Sequence, residues 1–99
     1  MADPVKLGAS AGWNDNYAVS LTEAYTATDA DSGKVFFCTG AFNVTLPSAA
    51  DVGAGWSITV INCDTDDTVV NSKTLSEPSD HIKVISDGTT MFNASLVVT

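Results

Sequence analysis

The chain has 99 residues and a mass of 10.3 kDa, the size of one domain with a modest core. Lysine and arginine together number 4 against 12 acidic residues, which gives a formal net charge of −8, and arginine is absent. This balance argues against a nucleic-acid binder, which needs cations to displace phosphate counterions, and against docking on an anionic membrane. A hydrophobic content of 44% predicts a folded domain despite the charge.

Targeting signals and cysteines bear on the compartment. The start of the chain shows no basic region followed by an apolar stretch, and no apolar run is long enough to span a bilayer. Cys38 and Cys63 permit one disulfide bond without requiring it. We therefore expect synthesis and folding in a cytoplasm, with two buried thiols, although pairing of the cysteines stays open.

The first 16 residues differ from the remainder of the chain. They are small and polar around Trp13 and show neither strand nor helix period, so residues 1–16 are predicted to form an extended N-terminal arm and residues 17–99 a β domain. Tyr17, Val19, Leu21 and Tyr25 alternate with polar residues and predict one strand.

Strands and turns then follow at short intervals. A turn at residues 29–33 precedes the apolar run at 35–38, and alternation from Phe42 ends at Pro47, which lacks a ladder donor. One helical turn is predicted at residues 48–51, with Ser48 as its N-cap. Gly53 and Gly55 then allow a sharp bend into a strand that begins at Trp56.

The second half predicts three more strands. An acidic turn at residues 62–67 precedes a brief strand at 69–70, and a loop at 76–80 precedes alternation from Ile82. Asp87-Gly88 is a hairpin turn, after which Phe92, Ala94, Leu96 and Val98 alternate with polar residues. About seven short strands predict an all-β fold, a small β-sandwich or β-barrel, with less than about 15% helix.

Few residues could carry catalysis. His81 is the only histidine and adjoins Asp80, but the sequence has no G-x-S-x-G elbow to present a nucleophile. One histidine and two distant cysteines are too few ligands for a tetrahedral zinc site. We expect His81 to be a strand-end residue in a protein that is no enzyme and needs no cofactor or metal.

The acidic residues form two clusters. Asp29-x-Asp31-x-Gly33 resembles the opening of a calcium loop without its later ligands, and residues 64–67 hold three carboxylates. A solvated turn is the expected role of each cluster, and binding of a divalent cation at Asp29–Asp31 or Asp64–Asp67 is left open.

Large apolar side chains are numerous for so short a chain. The set comprises Trp13, Tyr17, Phe36, Phe37, Phe42 and Trp56. Each one singly suits a core, but together they indicate that a partner subunit or a larger surface covers some apolar area.

One long segment resembles a known class of protein. Residues 25–62 combine an acidic turn ending D-S-G-K, an apolar strand, V-T-L-P, an Ala-rich turn with G-x-G, and a strand from an aromatic residue to V-x-N. This segment, with S-D-G-T at residues 86–89, resembles modules of tailed-bacteriophage virion proteins. The free-standing length and the lack of internal repeats best suit capsid decoration (cement) proteins.

The resemblance implies a function. Decoration proteins of this type are small β-rich domains that sit as homotrimers on the outer surface of the capsid, so the implied partner is the major capsid protein and the implied location the virion. By position and composition, the candidate interface residues are Val5, Leu7, Trp13 and Tyr17. The alternative is a tail-fibre or head-fibre module that binds a receptor or carbohydrate. A small hydrolase is a third hypothesis.

Overall fold

Two mixed sheets form the domain in the computed structural model, which describes residues 17–99. The strands are β1 (Ala18–Leu21), β2 (Tyr25–Thr26), β3 (Val35–Cys38), β4 (Phe42–Thr45), β5 (Ala54–Asn62), β6 (Thr68–Val70), β7 (Lys73–Leu75), β8 (His81–Asp87) and β9 (Met91–Val97). A 3-10 turn lies at Asp29–Asp31, and a short helix, α1, at Ala49–Val52. The all-β prediction is confirmed, and helix makes up only 10%.

Up to β6, consecutive strands alternate between the two sheets. One sheet has the order β1-β3-β5-β8-β9 and the other β2-β4-β6-β7. Strands β1, β3 and β5 pair in parallel, as do β2, β4 and β6, so each of the three successive strand pairs adds one strand to each sheet. Antiparallel pairing of β7 with β6, and of β8 and β9 beyond β5, completes the two sheets.

The core lies between the sheets. Phe36, Val60 and Ile82 of the five-stranded sheet are fully buried, as are Val70 and Leu75 of the four-stranded sheet. All five belong to one hydrophobic cluster. Because the inward side chains alternate along the strands that carry these residues, the period-two pattern of the sequence is the pattern of this core.

The predicted first strand is wrong as a single element. Its alternation continues from Val19 to Tyr25, but the chain leaves the five-stranded sheet after Leu21 and enters the other sheet at Tyr25. Both halves point apolar residues into the shared core, so the alternation is preserved across a corner. The structure also adds β7, which carries too few apolar residues to be recognised.

A β-bulge in β9 changes the side of the sheet to which its side chains point. Ile85 pairs with Phe92 and Ile82 with Leu96, and the register shifts between them. Ile82 is buried, whereas Ile85 lies on the opposite face. Phe92 and Leu96 therefore point to opposite faces of the sheet, and the predicted uninterrupted alternation along this strand is wrong because Ala94 is an extra residue.

The helical turn has the predicted position. Ser48 occupies the N-cap position of α1, although its side chain makes no capping hydrogen bond. Gly53 ends the helix with φ of 82° and Gly55 follows with φ of 93°, conformations that glycine adopts without a Cβ penalty. Within residues 17–99, no helix has the length and apolar character that a bilayer crossing requires.

Candidate interaction surface

The outer face of the five-stranded sheet is apolar over much of its area. We define this outer face as the side chains of that sheet that point away from the core. Strand pairing places four side chains next to one another in one row across β3, β5, β8 and β9: Phe37, Ile61, His81 and Val97. Phe37 is 38% exposed and Val97 is 50% exposed. This row therefore presents large apolar side chains to the surroundings.

Two further rows extend the outer face. Val35, Thr59 and Lys83 form the middle row, and Ile85 pairs with Phe92 in the other. Phe92 is 51% exposed, the largest exposed fraction among the aromatic residues of the face. Exposed apolar side chains that adjoin one another over several strands are typical of an interaction surface.

Charge is distributed unevenly around the domain. Among the described strand residues, the outer face carries Lys83, the imidazole of His81 and, at the end of β8, the carboxylate of Asp87. Its formal charge with neutral histidine is zero, whereas the whole chain carries −8. The acidic surplus thus lies elsewhere, and the outer face is suited to contact with another protein.

The opposite side of the molecule is polar. Thr26 pairs with Thr45, and Asn43 with Val69, on the outward side of the four-stranded sheet. A shallow groove of about 260 Å³ lies there. Its lining is uncharged and consists of Asn43, Val44, Thr45, Leu46, Val69, Asn71 and Ser72.

The predicted interface residues are only partly placed. Val5, Leu7 and Trp13 lie outside the described residues, and so does the predicted arm. Tyr17 directly precedes β1 and is 45% exposed, with its ring close to Gly33. Tyr17 therefore lies at the margin of the five-stranded sheet.

The other predicted aromatic residues divide between core and surface. Phe36 and Trp56 are buried, Phe42 is half-buried, and Phe37 is exposed on the outer face. The Trp56 indole N–H also donates a 3.1 Å hydrogen bond to the carbonyl of Thr28. Phe36 and Trp56 thus belong to the core.

The first acidic cluster is a structural junction. Asp31 is 2% exposed and accepts hydrogen bonds from the Tyr25 hydroxyl and the Thr28 N–H, both at 2.8 Å. The Lys34 ammonium lies 2.9 Å from its other oxygen. Burial alone raises the pKa of Asp31, but the hydrogen bonds from Lys34, Thr28 and Tyr25 outweigh it, and the pKa lies below its usual value. Asp31 thereby secures the turn before β3.

The second acidic cluster forms a turn around a buried amide. The Asn62 side-chain nitrogen lies between 2.9 and 3.3 Å from the carbonyl oxygens of Asp64, Asp66, Leu75 and Glu77. Asn62 is fully buried, and its own side-chain oxygen has no hydrogen-bond partner. This amide ties the acidic turn to the segment after β7. Within residues 17–99, no three His, Cys, Asp or Glu side chains gather as a metal site.

His81 and Asp80 do not work together. Asp80 is 1% exposed and accepts hydrogen bonds from the Ser76 and Glu77 N–H groups and from Thr99. The Nδ1 atom of His81 lies 2.9 Å from the carbonyl of Ser79. Asp80 thus fastens the C-terminus to the loop before β8, and His81 is half-buried at a strand end, as the sequence predicts.

The cysteines are free thiols in different environments. Cys38 is buried and Cys63 is exposed, so the prediction of two buried thiols is wrong for Cys63. Burial raises the pKa of Cys38 to about 11, with a smaller contribution from Cys63. Cys63 lies outside the core because it follows the last residue of β5 and begins the acidic turn.

Sequence reasoning did not identify the outer face. Phe92 belongs to an alternating stretch of the sequence, and the bulge that turns it to the outer face leaves no mark in that pattern. One signal did exist: Val35–Cys38 is a continuous apolar run, which is typical of a strand covered on both faces. Comparison with known proteins finds no matching family model, no matching curated sequence and no matching solved structure.

Proposed function

We propose that this chain is a non-enzymatic capsid decoration protein of a tailed bacteriophage. It binds the outer surface of the head as a homotrimer and stabilises the shell by bridging neighbouring copies of the major capsid protein. The chain is made in the host cytoplasm and acts on the virion.

The exposed outer face carries this proposal. A domain with side chains such as Phe37 and Phe92 exposed on one side, and threonine and asparagine on the other, is suited to pack against protein on one side and water on the other. The phage-like segment at residues 25–62 supports the same reading. The polar residues at its turns and strand ends stabilise the fold, because the side chains of Asp31 and Asn62 both form hydrogen bonds within the domain.

The arm supplies attachment to the shell in this proposal. Val5, Leu7 and Trp13 are apolar residues of the N-terminal segment, and Tyr17 joins that segment to the sheet margin. A tryptophan anchor is a frequent hot spot in protein interfaces. Residues 1–16 thus reach the capsid while the β domain provides the compact body.

Capsid binding by an arm-deleted chain tests the proposal. The chain lacking residues 2–12 should stay folded by circular dichroism and bind empty capsids of the encoding phage much more weakly in cosedimentation. Trp13→Ala in the full chain should weaken binding by about 2–4 kcal/mol, the usual cost of losing an interface hot spot. The full-length chain is the reference, and it should saturate the capsids at a fixed number of copies per particle.

Two outcomes would contradict this assignment. Unchanged binding by the deleted chain would remove the role of the arm. Binding to host cells or polysaccharide, with none to capsids, would favour the alternative function.

That alternative is a fibre module that binds a receptor or carbohydrate. The uncharged groove favours it, because the side-chain amides of Asn43 and Asn71 and the hydroxyls of Thr45 and Ser72 can hydrogen-bond sugar hydroxyl groups. Chemical-shift changes confined to these residues on titration with host polysaccharide, and lost in Asn43→Ala, would support it. The absence of such changes would leave the decoration function as the better proposal.

A further inference from the structure

We infer that the outer face of the five-stranded sheet is the surface through which copies of this chain pack against one another. The choice of this face rests on the exposure and charge of its side chains, and the number of copies, three, rests on the proposed function. The occupant is therefore a second copy of the same outer face.

Apolar exposure is the first reason. Phe37, Phe92 and Val97 leave between 38% and 51% of their surface exposed, and they lie on two strands, β3 and β9, in two rows of one face. Half-buried Ile61 adjoins Phe37 in one row, and half-buried Ile85 adjoins Phe92 in the other. Cross-strand neighbours thus group the exposed apolar side chains on one face, on either side of a middle row that contains Val35, Thr59 and Lys83.

Charge is the second reason. Each copy carries −8, so two copies repel unless the surfaces that meet are free of the acidic surplus. On the outer face, Lys83 offsets Asp87, and the remaining charge of the chain lies away from it. A contact through this face therefore brings no acidic surplus together, and only the long-range repulsion between copies of net charge −8 opposes it. A basic partner would find no complementary charge there.

Area is the third reason. Five strands spaced about 4.8 Å apart and about six residues long cover roughly 24 by 20 Å, or about 500 Å². Two copies that meet over the whole face would bury about 1,000 Å² in total, which reaches the lower limit expected of a biological interface.

The polar side of the domain provides the contrast. Thr45, Asn43 and Thr26 point outward from the four-stranded sheet and are exposed. These side chains stay hydrated at no cost. The same domain thus has one face suited to a partner and one suited to water.

Sedimentation equilibrium of the full-length chain tests the inference. Over concentrations from about 1 µM to about 1 mM, the wild-type chain should self-associate, and the proposed function sets the expected size at a trimer. Phe37→Asp and Phe92→Asp should weaken association by at least about tenfold, because each places a carboxylate in the packed face. Higher salt should strengthen wild-type association, since it screens repulsion between acidic copies.

Asn43→Asp is the matched control. It adds the same charge to an exposed position on the four-stranded sheet and should leave association unchanged. Far-UV circular dichroism and thermal unfolding of each variant establish that its fold is intact. Both outer-face positions are exposed, so a folded variant is expected at each.

The outcomes separate this inference from the proposed function. A wild-type chain that stays monomeric to about 1 mM, or associates equally well with Phe92→Asp, would overturn the inference. A large loss of thermal stability in monomeric Phe92→Asp would also overturn it, by showing that the chain covers this face itself. A dimer through the same face would support the inference and contradict the trimer, while a trimer that ignores capsids would contradict the proposed function alone.

Discussion

Asp31 shows how one carboxylate holds three segments together. Its oxygens accept hydrogen bonds from Tyr25 on β2, from Thr28 before the 3-10 turn and from Lys34 before β3. The sequence marked residues 29–33 as a turn, and the structure gives the buried contacts that hold it. Because the charge is buried and fully engaged, removing it leaves several donors without an acceptor.

Asp31→Asn should therefore destabilise the folded chain by about 2–3 kcal/mol near neutral pH, measured by urea unfolding. The lowered pKa of Asp31 means that its stabilising contribution is present above about pH 4 and is lost as the pH falls through the folded-state pKa. The difference between variant and wild type should shrink accordingly in acid. Asp29→Asn, at an exposed position, should change stability by less than about 0.5 kcal/mol. Equal effects of the two substitutions would refute this role.

The two thiols should react very differently in the folded chain. Cys63 is exposed, whereas burial raises the pKa of Cys38 to about 11. A disulfide reagent at mildly alkaline pH should label Cys63 quickly and Cys38 slower by about two orders of magnitude or more. Cys63→Ser should abolish the fast phase, and unfolding should expose both thiols in the wild type. Equal rates, or the absence of free thiol, would contradict the structure.

At the scale of elements, Asn62 joins β5 to two later segments. Its side-chain nitrogen contacts carbonyl oxygens on both sides of β6 and β7, so this residue at the end of β5 organises the acidic turn. The sequence pattern V-x-N located the strand end. It did not show that the asparagine is buried, since the carbonyl groups around it come from residues up to Glu77.

Asn62→Ala should destabilise the chain by about 2–3 kcal/mol, because several buried carbonyl groups lose their donor. Asn62→Asp should cost more near neutral pH, since a carboxylate would face those same oxygen atoms. Urea unfolding measures both. Asn43→Ala, on the exposed side of β4, serves as the control with a change below about 0.5 kcal/mol. An Asn62→Asp chain with the same free energy of unfolding as the wild type would show that the amide nitrogen donates no stabilising hydrogen bond.

The β6–β7 hairpin contains avoidable backbone strain. Asn71 and Ser72 form its two-residue loop with φ values of 50° and 67°, the left-handed region that glycine prefers. Ser72→Gly should therefore stabilise the chain by about 0.5–1 kcal/mol, seen as a higher melting temperature. Ser20→Gly, in extended β1, should have the opposite sign because glycine weakens a strand. A lower melting temperature for Ser72→Gly would contradict this assignment.

At the scale of the whole molecule, two electrostatic effects oppose each other as the pH falls. Hydrogen bonds from the Thr89 and Thr90 N–H groups lower the pKa of Asp87, and the Thr99 side chain is the main cause of the lowered pKa of Asp80. With Asp31, these groups stabilise the fold above about pH 4 and lose that effect as each is protonated. Meanwhile the net negative charge of the chain decreases as the pH falls towards its pI of about 4.1, so the repulsion among its acidic groups weakens.

The melting temperature should thus stay level or rise slightly from neutral pH to about pH 4.5 and fall below about pH 4. Thermal unfolding followed by circular dichroism at constant ionic strength measures it. Asp87→Asn should flatten the fall in acid. A melting temperature that continues to rise to about pH 3 would show that charge repulsion outweighs the three carboxylates.

The sequence by itself determined the class of fold and the position of most turns. Period-two alternation, Pro47, Gly53 and the Asp87-Gly88 pair act through neighbouring residues, so their effect can be read locally. The small share of helix and the helical turn after Ser48 were predictable for the same reason.

Tertiary structure alone decided how the strands pair and which side chains face outward. Parallel pairing joins Ala18 to Val35 and Val35 to Thr59, residues distant in the chain, and no local pattern specifies such a register. The corner after Leu21 preserves alternation across two sheets, and the bulge at Ala94 reverses the faces of β9. The outer face depends on both, because a side chain's exposure is set by the strands that flank it and not by its neighbours in sequence.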